Sequence, residues 1–138
     1  MNESPSSRRD LAILCLRIGL ALVFILAGWA KVSHLAVVVG LWQRLHLPLP
    51  HVFGTIHGVV EFGGGIFLLG GLFTRWVSLL LAADMVGALF LVKIHTPTFI
   101  GVEWLGLWVS LALLGLGSGS ISVDAFFQKR GGKPGGRS

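Results

Sequence analysis

Residues 51–75 read HVFGTIHGVVEFGGGIFLLGGLFTR, and this stretch decides how the rest of the chain is organised. It is long enough to cross a bilayer, which takes about 20 apolar residues in a helix, yet it carries Glu61 at its centre. A carboxylate in hydrocarbon costs roughly 3 kcal/mol on insertion scales. The stretch must therefore give Glu61 a partner, a proton or a watery pocket.

The residues around Glu61 predict that this helix has a polar face flanked by small residues. His57 precedes Glu61 by four positions, so both side chains lie on one side of a helix. Gly54, Gly58 and Gly65 fall on or beside that face and allow another backbone to approach closely. The pattern is typical of the interior wall of a membrane bundle with a polar centre.

The composition extends this interpretation to the whole chain. Of the 138 residues, 54% are hydrophobic and 12% are charged, whereas soluble domains carry about 25% charged residues. The net charge of +5 comes from residues near the ends of the chain, which indicates membrane topology and argues against a nucleic-acid partner. The single cysteine, Cys15, excludes an intrachain disulfide and dithiol chemistry within this subunit.

Outward from the central stretch, apolar runs predict the remaining helices. Four runs near spanning length, at 11–31, 53–72, 76–94 and 100–117, predict an all-α integral membrane protein, a four-helix transmembrane bundle. The apolar run 35–47 is too short to span and predicts an interfacial or re-entrant helix between the first two spans. Pro48 and Pro50 end this helix, because proline disfavours helical geometry in the residue before it.

The charge pattern predicts three segments and an orientation. We expect a cytoplasmic N-terminal segment at 1–10, a four-helix membrane domain at 11–128 and a disordered basic tail at 129–138. Seven basic residues fall on one side of the membrane and three on the other, so both termini are expected in the cytoplasm. The seven are Arg8, Arg9, Arg75, Lys129, Arg130, Lys133 and Arg137, and the three are Lys31, Arg44 and Lys93.

Each predicted span carries polar residues at helical spacing, so the four polar stripes can face a common axis. Intramembrane ionisable groups are functional candidates by default. The alternative is that they only hold the helices together. The candidates for ligand binding or for proton handling are Arg17, Lys31, His57, Glu61, Asp84, His95 and Glu103.

Two groupings of these candidates are predicted. From the rise per residue of an α-helix, Arg17 and Glu61 lie at depths in the membrane that allow direct contact. We therefore predict that they form one buried unit, since a guanidinium matches a carboxylate. One arginine facing two acids implies that either Glu61 or Asp84 is protonated, or that the two share a proton. The second grouping is an opening toward the periplasm, with interface snorkelling as the alternative. Its expected lining is Lys31, His57, His95 and Glu103.

No metal site is expected. The histidines show no short ligand spacing on one helix apart from the step from His57 to Glu61. Solvated or hydrogen-bonding histidines are therefore favoured over metal or haem ligands.

Several short pieces form an ordered set that runs from about residue 11 to residue 127. They are Leu16-Arg17-Ile18-Gly19, Ala27-Gly28-Trp29-Ala30-Lys31, Val60-Glu61-Phe62-Gly63-Gly64, Leu69-Gly70-Gly71-Leu72-Phe73-Thr74-Arg75, Glu103-Trp104, and Gly115 to Gly119 leading into Ser122-Val123-Asp124. Together these pieces resemble the DoxX family. Asp84 falls at no position that matches the family pattern.

The resemblance implies a four-helix inner-membrane protein with one of two functions. Some relatives are subunits of a thiosulfate:quinone oxidoreductase, others look like membrane partners of soluble redox enzymes, and distant relatives act as assembly factors or chaperones. The first expectation is therefore a quinone pocket fed with electrons by a soluble or membrane redox protein, with no cofactor of the chain's own. There Glu61 and His57 would pass protons, and Arg17 or Lys31 would polarise a quinone oxygen. The second is a non-catalytic membrane adaptor or assembly factor for another protein. The lipid bilayer is a partner in both cases, and a homo-oligomer is left open.

Overall fold

A computed structural model describes residues 5–93 and 101–131 of the chain, and every regular element in these residues is helical. The elements are α1 (Pro5–Ser33), α2 (Leu35–Arg44), α3 (Pro50–Gly70), α4 (Thr74–Gly87) continued by a π-helical segment (Ala88–Lys93), α5 (Gly101–Leu116) and α6 (Val123–Gly131).

The described helices form a membrane bundle, as the sequence predicts. Three segments are long and apolar enough to cross a bilayer, namely Ser6–Ser33, Pro50–Gly70 and Thr74–Leu91. α5 is also apolar but has only 16 residues. Large apolar side chains such as Leu26 and Phe90 point outward and are more than 60% exposed. Lipid solvates such side chains as well as a protein core does.

α1 and α3 pack antiparallel along a seam of glycines. A Cβ on Gly28 would lie 2.7 Å from the Cα of Phe62, so no larger residue fits there without a shift of the backbone. A Cβ on Gly65 would lie 2.9 Å from the carbonyl oxygen of Ala21. The two helices therefore meet backbone to backbone beside Glu61 and one turn beyond it.

An apolar core fills the space between α1, α3, α4 and α5. Phe24 of α1, Leu68 of α3, Leu81 of α4 and Leu113 of α5 are each at most 2% exposed. These residues belong to one contiguous cluster, which places the core between the centre of the bundle and the end that carries Arg17 and Arg75.

The loop from α5 to α6 is tied to the first half of the chain. Arg17 on α1 donates hydrogen bonds to the carbonyl oxygens of Ser118 and Ile121, at 2.6 and 2.8 Å. Ser120 donates its hydroxyl to Asp10 at 2.5 Å. We call this end of the bundle the basic end, because the described residues Arg8, Arg9, Arg75, Lys129 and Arg130 lie there.

Asp124, in the first turn of α6, binds the turn between α3 and α4. Its carboxylate accepts hydrogen bonds from the backbone N–H groups of Phe73 and Thr74, at 2.8 and 2.9 Å. Phe73 has a positive φ of 49°, a conformation that is costly for a residue other than glycine. The side chain of Asp124 thus caps α4 and stabilises the strained residue in front of it.

Helices extend into both predicted terminal segments. α1 begins at Pro5, so residues 5–10 of the N-terminal segment are helical, and its residues 1–4 lie outside the described residues. Lys129, Arg130 and Gly131, assigned above to a disordered tail, form the end of α6. This short helix is stabilised by Ser122, whose hydroxyl accepts the N–H of Ala125. The guanidinium of Arg130 also lies 4.4 Å from the centre of the Phe126 ring.

The division of the chain into three segments stays a prediction. Residues 132–138, the rest of the predicted tail, lie outside the described residues, as do residues 94–100. The predicted proline boundary is confirmed: α2 ends at Arg44, and Pro50 occupies the first turn of α3.

Candidate functional site

Glu61 lies in the interior of α3 and is paired with a lysine. Its side chain is 3% exposed, and Lys31 at the end of α1 donates a hydrogen bond to its Oε2 atom. Gly58 makes this approach possible, since a Cβ there would lie 3.2 Å from the Cβ of Lys31. The ammonium group supplies the positive charge that a carboxylate needs in an apolar region.

His57 connects Glu61 to a second carboxylate. Its Nε2 atom lies 3.7 Å from Oε1 of Glu61, so the predicted placement of both side chains on one face of α3 is confirmed. Its Nδ1 atom lies 2.6 Å from Oδ1 of Asp84 on α4, within hydrogen-bond distance. With a proton on Nδ1 the ring donates to Asp84. Four ionisable groups thus form a continuous chain from Lys31 through Glu61 and His57 to Asp84.

The predicted contact between Arg17 and Glu61 is wrong. Arg17 is bonded to carbonyl groups of the α5–α6 loop, and the cation beside Glu61 is Lys31. The register of α1 against α3, with Gly28 opposite Phe62, places Arg17 level with Phe73. This level is twelve residues past Glu61, or about 18 Å along the helix axis. Arg17 therefore belongs to the basic end and not to the site.

A cavity of about 310 Å³ opens beside this chain of ionisable groups, and we call it the polar cavity. Lys31, His57, Glu61 and Glu103 line it, together with apolar residues from α1, α2, α4 and α5. Glu103 lies in the first turn of α5, where the helix dipole favours a negative charge. Apolar walls around a few convergent polar groups are the usual composition of a small-molecule site.

The structure thus brings together three of the four residues predicted to line an opening, namely Lys31, His57 and Glu103. The fourth, His95, lies outside the described residues. Asp84, the candidate that fits the family pattern least, is joined to the site through His57. The functional roles of these residues stay predictions.

α2 contributes a wall of the polar cavity that the sequence interpretation did not assign to the site. Val38, Leu41 and Trp42 of α2 line the cavity, and Trp42 is buried. The ring of Trp42 lies 6.5 Å from the ring of His57, measured between centroids. The spacing of Val38 and Trp42, four residues apart, places them on one helix face and could have indicated this role.

Among the described residues, one group has the donor atoms that a metal ion would need. His57, Glu61 and Asp84 each offer one ligand atom, and these atoms lie within 4.8 Å of one another. In the structure the charge of Glu61 is already matched by the ammonium group of Lys31. The expected absence of a metal site is not tested by this geometry.

Comparison with known proteins gives one family. The family model of DoxX matches residues 12–94. The membrane protein Rv3486 of Mycobacterium tuberculosis is 34% identical over 77% of this chain, and the chain spans 63% of that protein's length. The inner membrane protein YqjF of Escherichia coli is 30% identical over 88% of this chain and 95% of its own length.

A third relative carries a functional name. It is "Putative oxidoreductase CatD" of Bacillus subtilis, which is 28% identical over 87% of this chain and 90% of its own length. No solved structure matches the chain.

Proposed function

This chain is a member of the DoxX family of membrane proteins, and from that premise we propose that it is a quinone-interacting membrane subunit or partner of an oxidoreductase system. The observation that carries the proposal is the polar cavity, in which apolar walls surround Lys31, His57, Glu61 and Glu103. A quinone head group has the same character, a flat apolar ring with two polar oxygens. The name of CatD as a putative oxidoreductase supports the same class of function.

The residues of the polar cavity have the chemistry that quinone reduction requires. Conversion of a quinone to a quinol takes two electrons and two protons. The ammonium group of Lys31 can donate a hydrogen bond to a quinone oxygen and stabilise the negative charge that develops there. Glu61 and His57 can pass protons to the ring oxygens. We propose that the electrons come from a soluble or membrane redox protein.

The location proposed for the chain is a bacterial inner membrane with both termini in the cytoplasm. YqjF is named as an inner membrane protein. The described basic residues support the orientation, because Arg8, Arg9 and Arg75 lie at one end of the bundle and Lys31 and Arg44 at the other. In this orientation the polar cavity lies in the outer half of the membrane.

Lipid extraction and mass spectrometry of the protein purified in mild detergent test the proposed function. We expect quinone to co-purify with the unmodified chain and to be at least severalfold depleted in Glu61→Gln, which keeps the shape of the side chain but not its charge. Asp10→Asn is the matched control, because Asp10 lies at the basic end, bonded to Ser120. This variant should retain the quinone.

Two results would contradict the proposal. One is equal quinone content in the Glu61→Gln and Asp10→Asn variants. The other is a preparation without quinone in which a second protein co-purifies stably, which would favour the adaptor or assembly function instead.

A further inference from the structure

An apolar groove runs along the outside of the bundle between α1 and α5, and we call it the α1–α5 groove. Its volume is about 720 Å³ and its surface is almost entirely apolar. Small residues of α1 keep it open, since a Cβ on Gly19 would meet nothing within 4 Å. The residues that line the groove are Ala12, Cys15, Leu16, Gly19, Leu20, Val23, Val102, Leu105, Gly106 and Val109.

The groove adjoins the polar cavity. Val23, Val102 and Gly106 line both spaces, so they form the boundary between the ionisable groups inside and the lipid-facing surface outside. Gly106 is the smallest residue of this boundary, and a Cβ there would lie 3.3 Å from the sulfur of Met85. Because the two spaces share these residues, a molecule with a polar head in the cavity and a long apolar tail in the groove would cross the bundle surface at this boundary.

We propose that the α1–α5 groove binds the isoprenoid tail of the quinone whose head group occupies the polar cavity, and that the quinone reaches the cavity from the bilayer between α1 and α5. The inference rests on the proposed function and names its substrate as a quinone with a long apolar tail. It also assigns a path that avoids the water phase, in which such a molecule is insoluble.

The dimensions of the groove suit a tail and not a second head group. The groove follows α1 from Val23 to Ala12, a length of about 16 Å at the rise of an α-helix. Its lining offers almost no polar surface to a quinone oxygen. Because lipid tails are as apolar as the groove, binding there depends on close packing of the tail. A side chain that fills the groove should therefore weaken binding by steric exclusion.

Gly19→Leu is the variant that tests this inference, and Gly63→Leu is its matched control. A Cβ at either position meets nothing within 4 Å, so the first atom of each new side chain enters open space. Gly19 lines the groove, whereas Gly63 on α3 is not among the residues that line it. Thermal unfolding of both variants checks that they fold like the parent chain.

The readout is the affinity of each protein in lipid nanodiscs for decylubiquinone and for its tail-less head-group analogue. We expect Gly19→Leu to weaken decylubiquinone binding by about tenfold, the size of effect that overfilling an apolar site produces. Binding of the tail-less analogue should stay within about twofold of the parent value, since it lacks the excluded part. Each ligand also partitions into the nanodisc lipid, but this partitioning affects the apparent affinity of every variant equally. It therefore cancels when variants are compared with the same ligand.

The outcomes separate this inference from the proposed function. Equal affinity of Gly19→Leu and Gly63→Leu for decylubiquinone overturns the tail site while leaving the head-group site intact. Failure of both ligands to bind the parent chain contradicts the proposed function itself. A change in oligomeric state in Gly19→Leu alone, with unchanged decylubiquinone affinity, would show that the groove holds a second copy of the chain.

Discussion

The burial of Glu61 in the interior of α3 is possible because two basic groups compensate for the lost hydration of its carboxylate. The ammonium group of Lys31 donates to one carboxylate oxygen, and the imidazole of His57 lies 3.7 Å from the other. Lys31 is 28% exposed at its side chain while Glu61 is 3% exposed. The lysine thus retains part of its hydration while it neutralises the carboxylate, which lowers the desolvation cost of the pair.

Removal of Lys31 should therefore leave Glu61 as an uncompensated charge. We expect Lys31→Met to lower the free energy of unfolding by about 3 kcal/mol, the lower end of the range for broken buried pairs because Lys31 is partly exposed. The double variant Lys31→Met with Glu61→Leu should recover most of that loss. Chemical unfolding in mixed micelles, analysed as a double-mutant cycle, measures the coupling energy.

Arg17 provides the control for this cycle. Its partners are the carbonyl groups of Ser118 and Ile121, so Arg17→Met and Glu61→Leu should be additive within about 0.5 kcal/mol. Strong coupling of Glu61 to Arg17, together with additivity between Glu61 and Lys31, would contradict the pairing described above.

At the scale of whole helices, the site depends on how closely α1 approaches α3. Gly28, opposite Phe62, and Gly65 lie beside Glu61 and one turn beyond it, and they leave no room for a side chain between the two backbones. A larger residue would separate the helices and with them Lys31 and Glu61. The seam of glycines is therefore what brings the two charged residues, which lie on different helices, into contact.

Gly28→Ala tests this dependence. The added methyl group would lie 2.7 Å from the Cα of Phe62, so one helix must move, and we expect a loss of about 1–3 kcal/mol in stability. Gly63→Ala is the matched control, because its methyl group meets nothing within 4 Å and alanine favours the helix by up to about 1 kcal/mol. Thermal unfolding of the two variants gives the comparison, and equal stability would show that the seam is not tightly packed.

Helices, contacts within one helix and the polar faces that share the cavity could be predicted from the sequence, whereas the specific pairs between helices could not. Apolar runs and prolines predicted the approximate bounds of the described spans. The four-residue spacing of His57 and Glu61 correctly predicted that their side chains lie close together. Depth estimates for Arg17 failed because they ignore the register of α1 against α3. Register is fixed by the fit of Gly28 and Gly65 to the opposing helix, which one sequence does not reveal.

Two other features escaped prediction for related reasons. The pairing of Asp84 with His57 joins α4 to α3 and depends on the rotation of both helices. The place of Trp42 in the site depends on α2 packing against α3, where Val38 and Val39 lie beside Gly54. Both contacts depend on how two helices are placed relative to each other, whereas the sequence pattern describes each helix separately.

At the scale of the whole molecule, the chain has two chemically different ends. The basic end joins the start of α1 to the α5–α6 loop and carries Arg75. The opposite end carries the polar cavity and α2. This division agrees with the seven-to-three distribution of basic residues in the sequence, as far as the described residues extend.

We predict that the end with α2 faces outward in the bacterial cell. In a Cys15→Ser background, Ala36→Cys should react with a membrane-impermeant maleimide in intact spheroplasts, since Ala36 is exposed on α2. Gln128→Cys on α6 is the control and should react only after permeabilisation. The reverse pattern would mean that the orientation is inverted, and labelling of both sites in intact spheroplasts would mean a mixed orientation.

The bond from Arg17 to Ser118 also has a consequence for biosynthesis, because it joins residues 101 positions apart. At synthesis rates of about 5–20 residues per second, the ribosome delivers the partner of Arg17 roughly 5–20 s after the arginine itself. During that interval the guanidinium of Arg17 lacks the carbonyl oxygens that it bonds in the folded chain. An arginine in a spanning helix costs at most about 2.5–3.5 kcal/mol on insertion scales, the value for the helix centre. A chain truncated before residue 118 lacks both acceptors, so this cost is not relieved in unfinished copies.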